Sequence, residues 1–80
     1  MKAYKITYGI KGKTNELYKL QFSDAKAKYF EFKEHYMSIE DIKSYTENRN
    51  LDGMLKDFWT FSAIIGDTIW EVSIIPIAIS

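Results

Sequence analysis

Hydrophobic and polar residues alternate most strictly near the end of the chain, on either side of Gly66-Asp67. A two-residue loop there sets Ile65 opposite Thr68 and fixes the register. One face then collects Ala63 opposite Trp70, Phe61 opposite Val72 and Trp59 opposite Ile74. The other face collects Ser62 opposite Glu71 and Thr60 opposite Ser73. A period of two that sorts this cleanly on both strands predicts a half-buried antiparallel hairpin. Glycine tolerates positive φ and aspartate is a common turn residue, so the connection suits it.

A second alternation opens the chain. Tyr4, Ile6, Tyr8 and Ile10 share one side, as do Tyr18, Leu20 and Phe22. A loop near residues 11–15 predicts Tyr8 opposite Tyr18, Ile6 opposite Leu20 and Tyr4 opposite Phe22, with Lys5, Thr7, Lys19 and Gln21 on the reverse. The period then changes. Ser23 is placed to cap a helix over residues 24–36, with Asp24 in its first turn. Ala25, Tyr29, Phe32 and Tyr36 fall on one stripe of that helix and should face the core. Ser38 is expected to open a second helix, with Asp41 in the capping-box position and Ile39, Ile42 and Tyr45 on its buried side. That helix should fray by residues 48–50, before a turn at Asp52-Gly53 and a lead through Met54 and Leu55 into the final hairpin. The expected order is ββααββ. It describes an α+β two-layer domain, with an antiparallel sheet from two hairpins and two helices on one face. Residues 1–80 should form that single domain.

Composition narrows the function more than the fold. A chain of 80 residues buries roughly 60–65% of its unfolded surface, for a stability of about 5 kcal/mol. The absence of cysteine removes disulfide and thiolate chemistry and suits a reducing cytoplasm. Lys2 and Lys5 are followed by alternation rather than an apolar run, so no secretory signal is expected. Asp67 and Glu71 interrupt the C-terminal hydrophobics, so no membrane partner is expected either.

Net charge is zero, which argues against a polybasic nucleic-acid binder. The charge is nonetheless uneven, with residues 1–22 carrying five lysines against Glu16 alone. Gly12-Lys13-Thr14 is similar to the end of a phosphate-binding loop, but Thr7 stands where that motif needs its first glycine, and a strand follows where it needs a helix. Gly9-Ile10-Lys11-Gly12 matches the GxxG of KH domains, where the loop joins two helices and not two strands. His35, the single histidine, has Glu31 one turn away and no evident third ligand. No serine sits in a nucleophile elbow, and the paired acids read as helix-surface charges. The expectation is a non-enzymatic protein with no cofactor and no metal.

The remaining signal is apolar surface beyond what one core needs. After Ser73 the last strand stops alternating. Ile75, Ile77 and Ile79 fall on the face that is polar upstream, and Phe58 falls opposite Ile75. Pro76 lacks an N–H, so the strand should have an edge or a bulge there. Phe30 and Met37 stand well off the helix core stripe. A strand apolar on both faces is either central or part of an interface. The leading expectation is a small protein-binding module that homodimerises through its last strand. It would act as an inhibitor or adaptor on a larger host protein, with Phe30, Met37, Phe58, Ile75, Ile77 and Ile79 at the interface. Such composition is typical of small accessory proteins from AT-rich bacterial, phage or mobile-element genomes. The alternative is a nucleic-acid module using Lys5, Lys11, Lys13 and Lys19. Its weakness is that Tyr4, Tyr8 and Tyr18 are expected on the core side, away from those lysines.

Overall fold

The computed structural model describes residues 2–49 and 58–78. The strictest alternation folds as expected. β4 (Trp59–Ile65) and β5 (Thr68–Ala78) pair through Ala63 opposite Trp70, Phe61 opposite Val72 and Trp59 opposite Ile74. Gly66 takes a φ of 60° at the first central position of the turn, which a type II′ hairpin requires.

The remaining elements are β1 (Lys2–Ile10), β2 (Lys13–Lys19), α1 (Phe22–Met37) and β3 (Ile42–Arg49). The order is ββαβββ, which overturns the expected ββααββ. Among the described residues, one five-stranded antiparallel sheet, ordered β2-β1-β5-β4-β3, carries a single helix on one face. The first and last strands are neighbours at its centre.

The expected second helix is the strand β3. Ser38 does not open a helix but closes α1. Its N–H reaches Glu34 O at 3.1 Å and its hydroxyl donates to His35 O at 2.7 Å. Beyond it, Ile42, Tyr45 and Thr46 are β-branched or aromatic, and residues 42–49 offer too few apolar positions to bury a helix face. Pairing along β4 supplies the missing partners, with a bulge between Ile42 and Ser44. Tyr45 and Glu47 thereby face the helix side, opposite Ala63 and Phe61. The expected turn at Asp52-Gly53 and the lead through Met54 and Leu55 lie outside the described residues. At the other end of α1, the N-cap is Gln21 rather than Ser23, with no side-chain cap, while Asp24 does sit in the first turn.

The first hairpin keeps its strands but not its expected register. A turn at Lys11-Gly12 places Ile6 opposite Leu17, Tyr8 opposite Asn15 and Lys5 opposite Tyr18. Gly12 has a φ of 88°, which a side chain would resist. The slip from the expected pairing is an odd number of residues, so every β2 side chain changes face. Leu17 turns towards the helix side, and Tyr18 turns away from it.

The core lies between α1 and the three central strands. Ile6, Val72, Ile74, Phe61 and Ala63 come from the sheet, and Ala25, Tyr29 and Tyr36 from the helix, all essentially fully buried. Phe32 joins the edge of this cluster and stacks on Tyr8 at 4.1 Å. Trp59 sits among Phe22, Tyr29 and Phe30 at ring separations of 5.4–5.8 Å.

The Tyr36 hydroxyl also enters the sheet. It accepts from the Gly9 N–H at 2.9 Å and donates to Glu71 O at 3.1 Å, bridging two residues that face each other across β1 and β5. Burial raises its pKa, so the neutral donor form persists. Gly9 has a φ of 125°, and a Cβ there would lie 3.2 Å from Lys13 O. Gly9→Ala is therefore expected to destabilise the fold by about 1–3 kcal/mol. A urea unfolding midpoint equal to that of the parent would refute this.

Candidate functional site

With α1 on one face, no element among the described residues covers the other, open face of the sheet. The pairing registers lay out its side chains in rows running across the strands. One row reads Tyr18, Lys5 and Ile75, with Phe58 next by alternation. The next reads Glu16, Thr7, Ser73, Thr60 and Asn48. A third reads Thr14, Gly9, Glu71, Ser62 and Thr46. Beyond it lie Ile69, Ile64 and Ser44. Two rows of hydroxyl, amide and carboxylate groups are thus bordered by apolar residues on both sides.

The polar rows are concave. A hollow of about 310 Å³ is lined by Thr7, Ser73, Glu71, Thr60, Ser62, Thr46 and Asn48, with Phe61 and Val72 between them. Thr7 Oγ1 and Ser73 Oγ are hydrogen-bonded to each other at its wall. The hollow contains no basic side chain. Lys5, in the neighbouring row, lies 3.9 Å from the Glu16 carboxylate, and Tyr18 donates to the same carboxylate at 3.0 Å. That hydrogen bond raises the Tyr18 pKa.

The six expected interface residues do not form one patch. Phe58, Ile75 and Ile77 belong to the open face and are all half-buried. Phe30 belongs to the helix side, packed against Trp59 and Tyr29, with the Arg49 guanidinium 5.1 Å from its ring. Met37 ends α1, 39% exposed. Ile79 lies outside the described residues. Strand β5 is apolar on both faces because it is central, with β1 and β4 beside it. Among the described residues, the β4–β5 ladder ends at Trp59 opposite Ile74, and Pro76 lies beyond it, opposite Tyr4 of β1 on its other side.

Five exposed apolar residues, Ile10, Tyr18, Leu20, Tyr45 and Ile64, were not among the expected interface residues. Of these, Tyr18 and Ile64, 56% and 41% exposed, stand on the open face. The glycine at position 12, if read as a two-residue turn, is the signal that would have found Tyr18. The four lysines are also divided. Lys5 shares the open face with Tyr18, Lys11 lies in the turn, Lys13 begins β2, and Lys19 falls opposite Tyr4 on the helix side.

Across the sheet, the helix side holds a closed ionic network. Glu47 accepts from Tyr29 Oη at 2.6 Å and Lys33 Nζ at 2.8 Å, with Arg49 at 3.3 Å. Burial pushes the Glu47 pKa up, but the hydrogen bonds from Lys33 and Tyr29 and the two positive charges outweigh it, leaving a net lowering. Burial, then the bond to Glu47, raises Tyr29. Arg49 also stacks 4.6 Å from the Trp59 ring, whose buried Nε1 has no partner. Glu47 is thus satisfied by Tyr29, Lys33 and Arg49 together. His35 is exposed in the last turn of α1. Among the described residues, no three histidine, aspartate or glutamate side chains gather as a metal ion would require. No described helix is long and apolar enough to cross a membrane.

Against protein-family models, curated proteins and solved structures, the chain finds no match.

Proposed function

We propose that this protein is a non-enzymatic binding module that docks on a larger protein through the open face of its sheet, acting in the cytoplasm as an inhibitor or adaptor. One observation carries the reading. The open face keeps Tyr18, Ile75, Phe58, Ile77, Ile69 and Ile64 on the side the helix does not cover. Apolar side chains bordering a polar centre are the surface expected of a binding site rather than of a solvated sheet. Both sheet edges argue against pairing by strand addition. Lysines begin and end β2, and a bulge with Lys43 interrupts β3, which are common guards against such pairing. The partner is therefore met face-on.

The test is affinity capture from a host lysate with nuclease, comparing the parent with Ile75→Lys and Ile64→Lys. A stoichiometric protein retained by the parent and lost by both variants, with unfolding midpoints little changed, is the expected result. Retention by both variants would refute face-on docking. Light scattering over a concentration series separates a second copy of this chain from a different protein.

A second reading is supported by the revised register. Tyr18 stands beside Lys5, so an aromatic ring and a cation share a face as single-strand binders need. Against it, Lys5 is held by Glu16, and Glu71 leaves the face without excess positive charge. This reading predicts binding that weakens steeply with salt. No binding to single-stranded nucleic acid at low salt would remove it.

A further inference from the structure

We propose that the hydroxyl-lined hollow around Glu71 is a cation-recognition site, and that the docking partner inserts an arginine side chain into it. The inference rests on the face-on docking reading and specifies the partner's chemistry.

Three features carry it. First, Glu71 stands in the middle strand of the open face, half-buried, with no cation paired to it among the described residues. Lys5, which shares that face two rows away, lies 3.9 Å from the Glu16 carboxylate instead. Second, the groups around Glu71 all accept hydrogen bonds. Ser62 and Thr46 share its row, while Ser73, Thr60 and Asn48 stand one row away. A guanidinium has five N–H donors and no acceptor, so an acceptor-rich wall with one carboxylate matches it, and a bidentate carboxylate contact adds orientation. A phosphate or carboxylate ligand would meet Glu71 with no basic residue to hold it. Third, the space fits. The hollow of about 310 Å³ is at the small end of ligand sites.

The bordering rows place the rest of the partner. The row of Ile75 and the row of Ile69 and Ile64 are three same-face steps apart, roughly 20 Å. A partner surface with a cation between two apolar patches at that spacing is complementary to the whole face. The apolar rows exclude water from the ion pair, and the ion pair selects against partners that place an acidic group there.

The probe is N-acetyl-arginine amide, titrated into the folded protein and followed by backbone amide chemical shifts. N-acetyl-lysine amide, N-acetyl-glutamine amide and a methyl glucoside serve as comparators. Saturable shifts are expected at Ser62, Ser73, Thr60 and Thr46 with the arginine compound. Glu71→Gln should raise the apparent Kd at least fivefold, and added salt should weaken binding. The lysine compound should bind several-fold more weakly, because it lacks the planar fork. No shifts at these residues, shifts unchanged in Glu71→Gln, or equal shifts with the glutamine compound would overturn the proposal. Preferential binding of the glucoside would also overturn it, by assigning the hollow to a neutral polyol. Lysate capture by the Glu71→Gln variant separates this proposal from the docking reading. Capture that survives Glu71→Gln but fails in Ile75→Lys would refute the arginine and keep the docking face.

Discussion

Replacing Phe61 with alanine is expected to remove most of the folding free energy. Phe61 is 1% exposed and lies in β4, beneath the helix. It belongs to the buried cluster, stacks on Tyr45 of β3 at 5.9 Å and lies 5.4 Å from the Lys33 ammonium of α1. Truncating a buried phenylalanine costs about 3–5 kcal/mol in lost transfer energy and unfilled cavity. A domain of this size has only about 5 kcal/mol to lose. Urea unfolding read through Trp59 and Trp70 should find Phe61→Ala largely unfolded or with a midpoint near zero. Ile64→Ala, three residues along the same strand on the open face, should cost less than about 1 kcal/mol. Similar costs for the two would mean that the open face is covered within the monomer, and the docking reading would fall with the prediction.

Glu47→Gln is expected to cost about 1.5–3 kcal/mol near neutral pH, because it removes the charge from hydrogen bonds that Lys33 and Tyr29 now make to a carboxylate. Its pH dependence gives the prediction a sign. The folded pKa of Glu47 is lowered from the ordinary 4.5. The unfolded chain therefore binds the proton more readily, and folding stability from this group is fully present above pH 4.5 and lost as pH falls through the lower folded value. The parent and Glu47→Gln should differ most above pH 5 and converge in acid. A constant gap from pH 7 to pH 2.5 would show that the loss is steric.

Legibility in the sequence followed the strictness of the pattern. The pair β4 and β5 could be read residue by residue, because Trp59, Phe61, Ala63, Trp70, Val72 and Ile74 share one face, only Ile64 and Ile69 beside the turn are apolar on the other, and the glycine at the first turn position suits a two-residue connection. The opening hairpin could not. Tyr8, Tyr18 and Leu20 alternate equally well in two registers, and only the backbone of Gly12 decides between them. β3 was the least legible. It is an edge strand whose inward position 47 holds a glutamate, so neither its burial nor its pairing leaves a hydrophobic trace. The network that makes Glu47 tolerable comes from Tyr29, Lys33 and Arg49, and no spacing rule brings these together. The open face was half legible. The excess at Ile75 and Ile77 was plain, while its polar centre drew on four strands whose order the chain does not announce.

The neighbouring first and last strands have a consequence for how the molecule is made. Lys2 pairs opposite Ala78 and Ile6 opposite Ile74, so the central ladder closes a loop of almost the whole described chain. During synthesis, β1 emerges well before β5 and holds one apolar side ready for a partner translated much later. Until then, the β1–β2 hairpin and α1 have no central strand to pack on, and a two-stranded ribbon is barely stable alone. Folding should thus be a late, single event that waits for β5, slowed by the entropy of so distant a closure. Cells would feel a mutation in β5 first as degradation of waiting chains.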